Sequence, residues 1–198
     1  VILPIYTYNH PVLKQKTAPI DDLSDELKEF INDMFETMYE ANGIGLAANQ
    51  VGKGLSITVI DTAQADDDEP HAQQANHTAH RGERVVLINP VIELFGEEEE
   101  EFEEGCLSLP DLRDIVVRPT EIQVRYLDAN FKEQVRQVDG LLARVMQHEI
   151  DHLNGTYFFE RLSPIRKTLA QGKLKRIAKG DFDAEYEVFR EYDGRSAL

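Results

Sequence analysis

The run Gln147-His148-Glu149-Ile150-Asp151-His152-Leu153-Asn154-Gly155 decides how the rest of the chain is read. Asp139 suits a helix N-cap and Asn154-Gly155 a helix stop, so a helix is predicted from about Leu141 to Leu153. Positions four apart stack on one helix face, so His148 and His152 can hold one metal ion from the same side. Glu149 is rotated from His148 by about 100°. It is poorly set to join both histidines as a ligand, but it can reach a water beside the ion and take its proton as a general base. The bland alternative is an ordinary helix that carries two histidines by chance. A catalytic site needs a third protein ligand and an open fourth position, and a carboxylate, another histidine and Cys106 are the candidates.

Working outward, Cys106 sits in Glu104-Gly105-Cys106-Leu107-Ser108-Leu109-Pro110. Gly105 permits backbone shapes that other residues resist, and Pro110 is expected to end strand pairing soon afterwards. A small turn displaying a thiol is a better ligand platform than a core strand. A thiolate lowers the charge of a divalent centre and favours borderline metals over magnesium or calcium. The competing reading of Cys106 is a small buried hydrophobe. Further upstream, Gly43-Ile44-Gly45-Leu46-Ala47-Ala48-Asn49-Gln50 is too small and glycine-rich for an ordinary strand or helix. Its glycines allow close backbone approach, and the Gln50 amide, with a backbone N–H, could stabilise an oxyanion. A turn packed on a helix explains the segment equally well.

The remaining elements frame these motifs. Leu27, Phe30, Ile31, Met34, Phe35, Met38 and Tyr39 recur at helical spacing, with Ser24 as N-cap and Asn42-Gly43 as the stop. Ser56 to Ile60 and Val85 to Ile92 are β-branched runs and read as strands, as do Ile115 to Arg118, Glu121 to Leu127 and Lys132 to Val138. Ile122, Val124 and Tyr126 alternate with Gln123 and Arg125, giving one buried and one wet face. Thr62 to Arg84 is polar and reads as a long surface loop. It carries His71, His77 and His80, three of the six histidines, at spacings that do not suit a metal site. Ser163-Pro164 starts a last helix with Arg166, Lys167, Lys173, Lys175, Arg176 and Lys179 along it, and a short strand is expected near Tyr186 to Phe189.

Composition narrows the class. The chain has 198 residues, 41% hydrophobic and 29% charged, which suits one soluble globular domain. No apolar run approaches the roughly 20 residues a membrane span needs. A net charge of −16 argues against a general nucleic-acid binder, DNA included. The acidic clusters Asp66 to Glu69 and Glu97 to Glu101 read as solvated surface. Cys106 is the single cysteine, so no internal disulfide forms, which suits a reducing compartment. The opening Val1-Ile2-Leu3-Pro4 lacks the basic and long apolar regions of a signal peptide, and a cytoplasmic location is the expectation.

Together, Gly43 to Gln50, Glu104 to Ser108 and Gln147 to Gly155 resemble, in order, the three motifs of the peptide deformylases. The likeness extends from about Ile2 to Ser163. It implies an α+β fold of mixed, mostly antiparallel small sheets packed around a central metal-binding helix. It implies a single catalytic domain over 1–198, with 62–84 as a surface insertion that bears on substrate access and 164–198 as a C-terminal helix and tail. By resemblance, Cys106, His148 and His152 hold a divalent ion, usually Fe2+, with Zn2+, Ni2+ or Co2+ also able to bind. Glu149 is then general base and general acid, and Gln50 and the Leu107 N–H cradle the oxyanion. The substrates are N-formylmethionyl peptides, lying extended beside Gly43, Ile44, Gly45, Leu46, Glu104 and Gly105. Val145 shares a helix face with His148 and is a candidate wall of the methionine pocket, with Ile44 and Leu107. Arg144 is assigned to the pocket mouth. The basic last helix is compatible with a ribosomal contact, a plain packed helix being the simpler reading. A metallopeptidase built on a His-Glu-x-x-His helix is the rival function, and a relative that keeps the metal only for structure is a second.

Overall fold

The structure, a computed structural model, describes residues 1–65 and 82–190. Helix α1, Asp25–Glu40, begins at Ser24, whose hydroxyl accepts from the Leu27 amide at 3.2 Å. It ends where Asn42 takes a left-handed φ of 53°. Strands β1 (Gly45–Ala47), β2 (Ile57–Asp61), β3 (Arg84–Phe95), β6 (Glu121–Leu127) and β7 (Glu133–Asp139) form one antiparallel sheet in the order β1-β2-β3-β6-β7. Strands β4 (Glu99–Cys106) and β5 (Leu109–Pro119) form a separate hairpin. Helix α2 spans Gly140–Leu153 and α3 spans Pro164–Ala178. The architecture is α+β, with small antiparallel sheets around α2.

Side-chain alternation explains why the paired stretches of β2 and β3 are mostly apolar on both faces. Ile57, Val59, Val86 and Ile88 pack with α1 residues such as Met34, Phe35 and Met38. Their neighbours Ile60, Val85 and Leu87 point to the other face and pack with Leu142, Ala143, Met146 and Ile150 of α2. A strand covered on both faces needs apolar residues at every position. By contrast β6 is covered on one face only, where Ile122, Val124 and Tyr126 meet α2. A third cluster joins Leu109, Leu112 and Val116 of β5 to Tyr157, Phe158 and the α3 residues Ala170, Leu174 and Ile177. Every α2 residue except Leu141 is buried, so this short helix is the centre of the fold.

Several sequence expectations change. Glu99–Cys106 is a strand where none was expected, because β5 supplies a pairing partner along its length, and Glu97, Glu98, Glu99 and Glu101 of the acidic cluster remain exposed on it and before it. Pro110 does not end pairing; it lies inside β5, in a two-stranded hairpin whose outer edges need no ladder bonds. Leu46 belongs to a true, if brief, edge strand. The tail forms a single parallel bridge, Ile5 with Val188, where a short strand was expected. Most of the 62–84 segment, with His71, His77 and His80, lies outside the described residues. Among the described residues, no helix is long and apolar enough to cross a membrane.

Candidate metal centre and cleft

Three elements deliver the central groups. Cys106 ends β4 at the hairpin turn, where it faces Leu109 across a local irregularity in register. His148 and His152 stand one turn apart on α2, their ring centroids 5.0 Å apart. One ligand atom from each of the three residues lies within 4.8 Å of the others, and Cys106 Sγ is 3.2 Å from His152 Nε2. Gly105 beside them keeps an ordinary φ. A Cβ there would stand 2.7 Å from Arg113 Nη1, the mobile end of an exposed side chain.

A buried charge network orients His148. Its Nδ1 lies 2.7 Å from Glu104 Oε1. An ionised carboxylate can only accept, so Nδ1 carries the proton and the Nε2 lone pair is left for a cation. Arg118 donates to Glu104 through Nε at 2.7 Å and Nη2 at 3.0 Å, and through Nη1 to Asp151 at 2.8 Å. Arg144 adds a bond to Glu104 at 3.0 Å and others to Val116 O and Glu100 O. Burial works against a charge on Glu104, yet the bonds from His148 and Arg118 hold its carboxyl well below the usual range. Glu104, expected to touch substrate, thus has both oxygens engaged behind His148. Arg144, assigned to the pocket mouth, lines the cleft and is largely buried, with its guanidinium in the same network. Neither Arg118 nor Asp151 was singled out from the sequence. The available signal was strand parity, which puts Arg118 on the buried face with Val116.

Glu149 lies on the cleft side of α2 and is 4% exposed. Its Oε2 has no hydrogen-bond partner among the described residues, and burial pushes its carboxyl up to about 7. Gly45 forms the wall against it: a Cβ there would stand 2.5 Å from Glu149 Oε1. Gly45→Ala is therefore expected to displace the carboxylate and lower turnover at least about tenfold. Steady-state kinetics beside a melting curve test this; unchanged kcat would mean the wall is not needed.

Gln50, 1% exposed, is aimed by its neighbours: Oε1 accepts from Ala47 N at 2.9 Å, and Nε2 donates to Ser108 Oγ at 3.1 Å. The same Nε2 lies 3.6 Å from Cys106 Sγ. These groups open on a cleft of about 450 Å³ lined by Gly43, Ile44, Gly45, Gln50, Glu104, Gly105, Cys106, Leu107, Val145, His148 and Glu149. Gln64 and Ala65, at the root of the 62–84 segment, line it too, as does Tyr186, which sequence reasoning missed. Leu46 does not line it; strand alternation turns its side chain into the core. Strand β1 is a sheet edge, with β2 on one side and no strand on the other among the described residues.

Comparison with known proteins agrees with this geometry. A family model described as polypeptide deformylase matches residues 2–168. The chain is 44% identical to a peptide deformylase of Cytophaga hutchinsonii over 188 residues, 95% of this chain and 97% of that one. It is 40% identical to one from Salinibacter ruber, over 98% of this chain and 97% of the relative. Among solved structures, a peptide deformylase from Legionella pneumophila superposes with a TM-score of 0.75 at 38% identity, over 90% of this chain and 96% of that one. One from Ehrlichia chaffeensis gives 0.78 at 36%, over 91% and 99%. A match through all three motifs, over nearly the whole length and in three dimensions, has one consequence: the chain belongs to the polypeptide deformylase family.

Proposed function

We propose that this chain is a metal-dependent hydrolase that removes the N-formyl group from formylmethionine at the N-terminus of nascent polypeptides and releases formate. The observation that carries the reading is the convergence of Cys106, His148 and His152 beside a buried Glu149 with an unpartnered oxygen. The donor set fits a divalent ion: one soft thiolate and two imidazoles, with the Glu104 carboxylate behind His148 fixing its tautomer. Fe2+ is the ion we assign in the cell, with Zn2+, Ni2+ and Co2+ compatible with the same ligands. Such an ion would supply Lewis acidity at the formyl oxygen and at the attacking water.

The chain's own residues do the rest. Glu149 takes the proton of the attacking water as its oxygen bonds to the formyl carbon. Gln50 Nε2 and the Leu107 N–H are the donors for the oxygen that gains charge. Glu149 then returns the proton to the leaving amine as the C–N bond breaks. The unpartnered edge of β1 and the residue Gly105 would pair with an extended peptide through its backbone, independently of most side chains. Ile44, Leu107 and Val145 would form the apolar seat for methionine. A formamide carbon carries only hydrogen, so a tight site would admit formyl and reject larger acyl groups on size.

We read residues 1–198 as one catalytic domain working in the cytoplasm, with 62–84 as a surface insertion at the cleft and 164–198 as a C-terminal helix and tail. On α3, Ala170, Leu174 and Ile177 are buried, and Lys173 and Arg176 bond to Asp111 O and Asp181. The packed-helix reading therefore accounts for α3 better than a ribosomal contact does. The test uses protein prepared without oxygen, assayed for bound metal and for formate release from formyl-Met-Ala-Ser beside unblocked Met-Ala-Ser. Formate from the blocked peptide and no cleavage of the unblocked one is the expected result. Cutting of internal bonds without formate would favour the metallopeptidase.

A further inference from the structure

After α3 the chain turns back, and its residues Glu187 to Phe189 lie beside Ile5 near the N-terminus. Ile5 N donates to Glu187 O at 2.9 Å and Phe189 N to Ile5 O at 2.8 Å. Phe189 stacks on Tyr6 with ring centroids 4.1 Å apart and planes within 5°. The next links reach the cleft: Tyr6 N donates to Gln50 O at 2.7 Å and Tyr8 N to Ser108 O at 2.9 Å. Tyr186, on the same tail, donates its hydroxyl to Leu107 O at 2.7 Å while its ring lines the cleft.

Leu107 and Ser108 are the whole connection between β4 and β5. A turn residue outside the strand ladders keeps more freedom in φ and ψ than its neighbours do. Tying its carbonyl fixes one end of Leu107, and Tyr8 fixes the carbonyl of Ser108. Both carbonyls of the turn are then held, which limits how the Leu107 N–H can swing. Burial raises the Tyr186 phenol above its ordinary value, so it stays a donor through the neutral range.

We propose that Tyr186 is a positioning residue for the reaction, its hydroxyl holding the Leu107-Ser108 turn so that the Leu107 N–H stays aimed at the formyl oxygen. This rests on the deformylase reading above. The role belongs to the C-terminal tail, beyond the 2–168 span matched by the family model. Misaiming a donor that acts mainly on the developing charge lowers kcat more than it raises KM.

The test is Tyr186→Phe in the full-length, metal-loaded enzyme, which keeps the ring and removes the bond. The expected result is a kcat reduced about tenfold, with KM within about twofold of the parent and unchanged metal content and melting temperature. An unchanged kcat overturns the proposal. So does a loss of activity that tracks loss of metal or a lower melting temperature, since that is the mark of a merely structural contact. The two readings fail separately: an unmodified enzyme that releases no formate sinks the deformylase assignment. An active one matched by Tyr186→Phe sinks only the role of Tyr186.

Discussion

Glu149→Gln is expected to lower kcat for formate release by about 10³-fold while the protein keeps its full metal content. Gln fills the same volume against Gly45, where a Cβ would already stand 2.5 Å from the Glu149 oxygen, so packing is preserved and the proton acceptor is lost. The substitution carries a second signature. Burial pushes the Glu149 carboxyl from 4.5 to about 7. A folded-state value above the unfolded one means the native protein binds the proton more tightly. Stability of the metal-free protein is therefore lost as pH rises from about 4.5 to 7. Gln, which cannot ionise, escapes that loss, which amounts to about 3 kcal/mol. Denaturant unfolding of chelated protein should find Glu149→Gln more stable than the parent at pH 8, with the advantage gone near pH 4.5. Wild-type turnover in the variant would remove the general-base role. Equal stability at pH 8 would remove the buried, proton-hungry carboxyl on which that role rests.

The reach of sequence reasoning follows how local each signal is. The spacing of His148 and His152 needs only a helix, and Ser24, Asn42 and Asn154-Gly155 mark helix ends through their own backbone and side-chain chemistry. The alternation in β6 is likewise written in consecutive residues. Strand β4 was hidden because its glutamates disfavour a strand by composition. It forms because β5 offers a register in which Phe102 meets Val116 and Glu104 turns inward to two arginines. The site divides the same way. Cys106, Gln50 and Glu149 lie in compact motifs, whereas Arg118, Asp151 and Tyr186 matter through partners 33, 33 and 79 residues away. Nothing adjacent to Tyr186 signals that its hydroxyl will find a turn carbonyl at the cleft. Leu46 shows the same alternation at the cleft: its side chain is sent to the core, and its backbone stays on the edge strand.

Glu104→Ala is expected to cost about 3–5 kcal/mol of stability and to weaken metal binding about 10- to 100-fold. The side chains of Glu104, Arg118 and Arg144 are 3–4% exposed, and Glu104 faces both guanidinium groups. Removing it leaves Arg118 with Asp151, which Arg161 also uses, and Arg144 with the backbone oxygens of Val116 and Glu100. His148 loses the acceptor that fixes its tautomer and ring plane, so its Nε2 no longer arrives preset for the ion. The pH dependence has the opposite sign from that of Glu149. The Glu104 carboxyl is held well below its ordinary value of 4.5 by bonds from His148 and Arg118 that outweigh the effect of burial. Its contribution is therefore complete above about 4.5 and is lost as pH falls further. The stability gap between parent and variant should be widest near neutrality and narrow in acid, which unfolding curves at pH 7 and pH 4 can measure. Glu104→Gln separates the two functions: it keeps an acceptor for His148 and one arginine but removes the charge, so metal affinity should fall less than stability does. A Glu104→Ala protein with parental stability and metal affinity would show that His148 reaches its place at the centre without the Glu104 network.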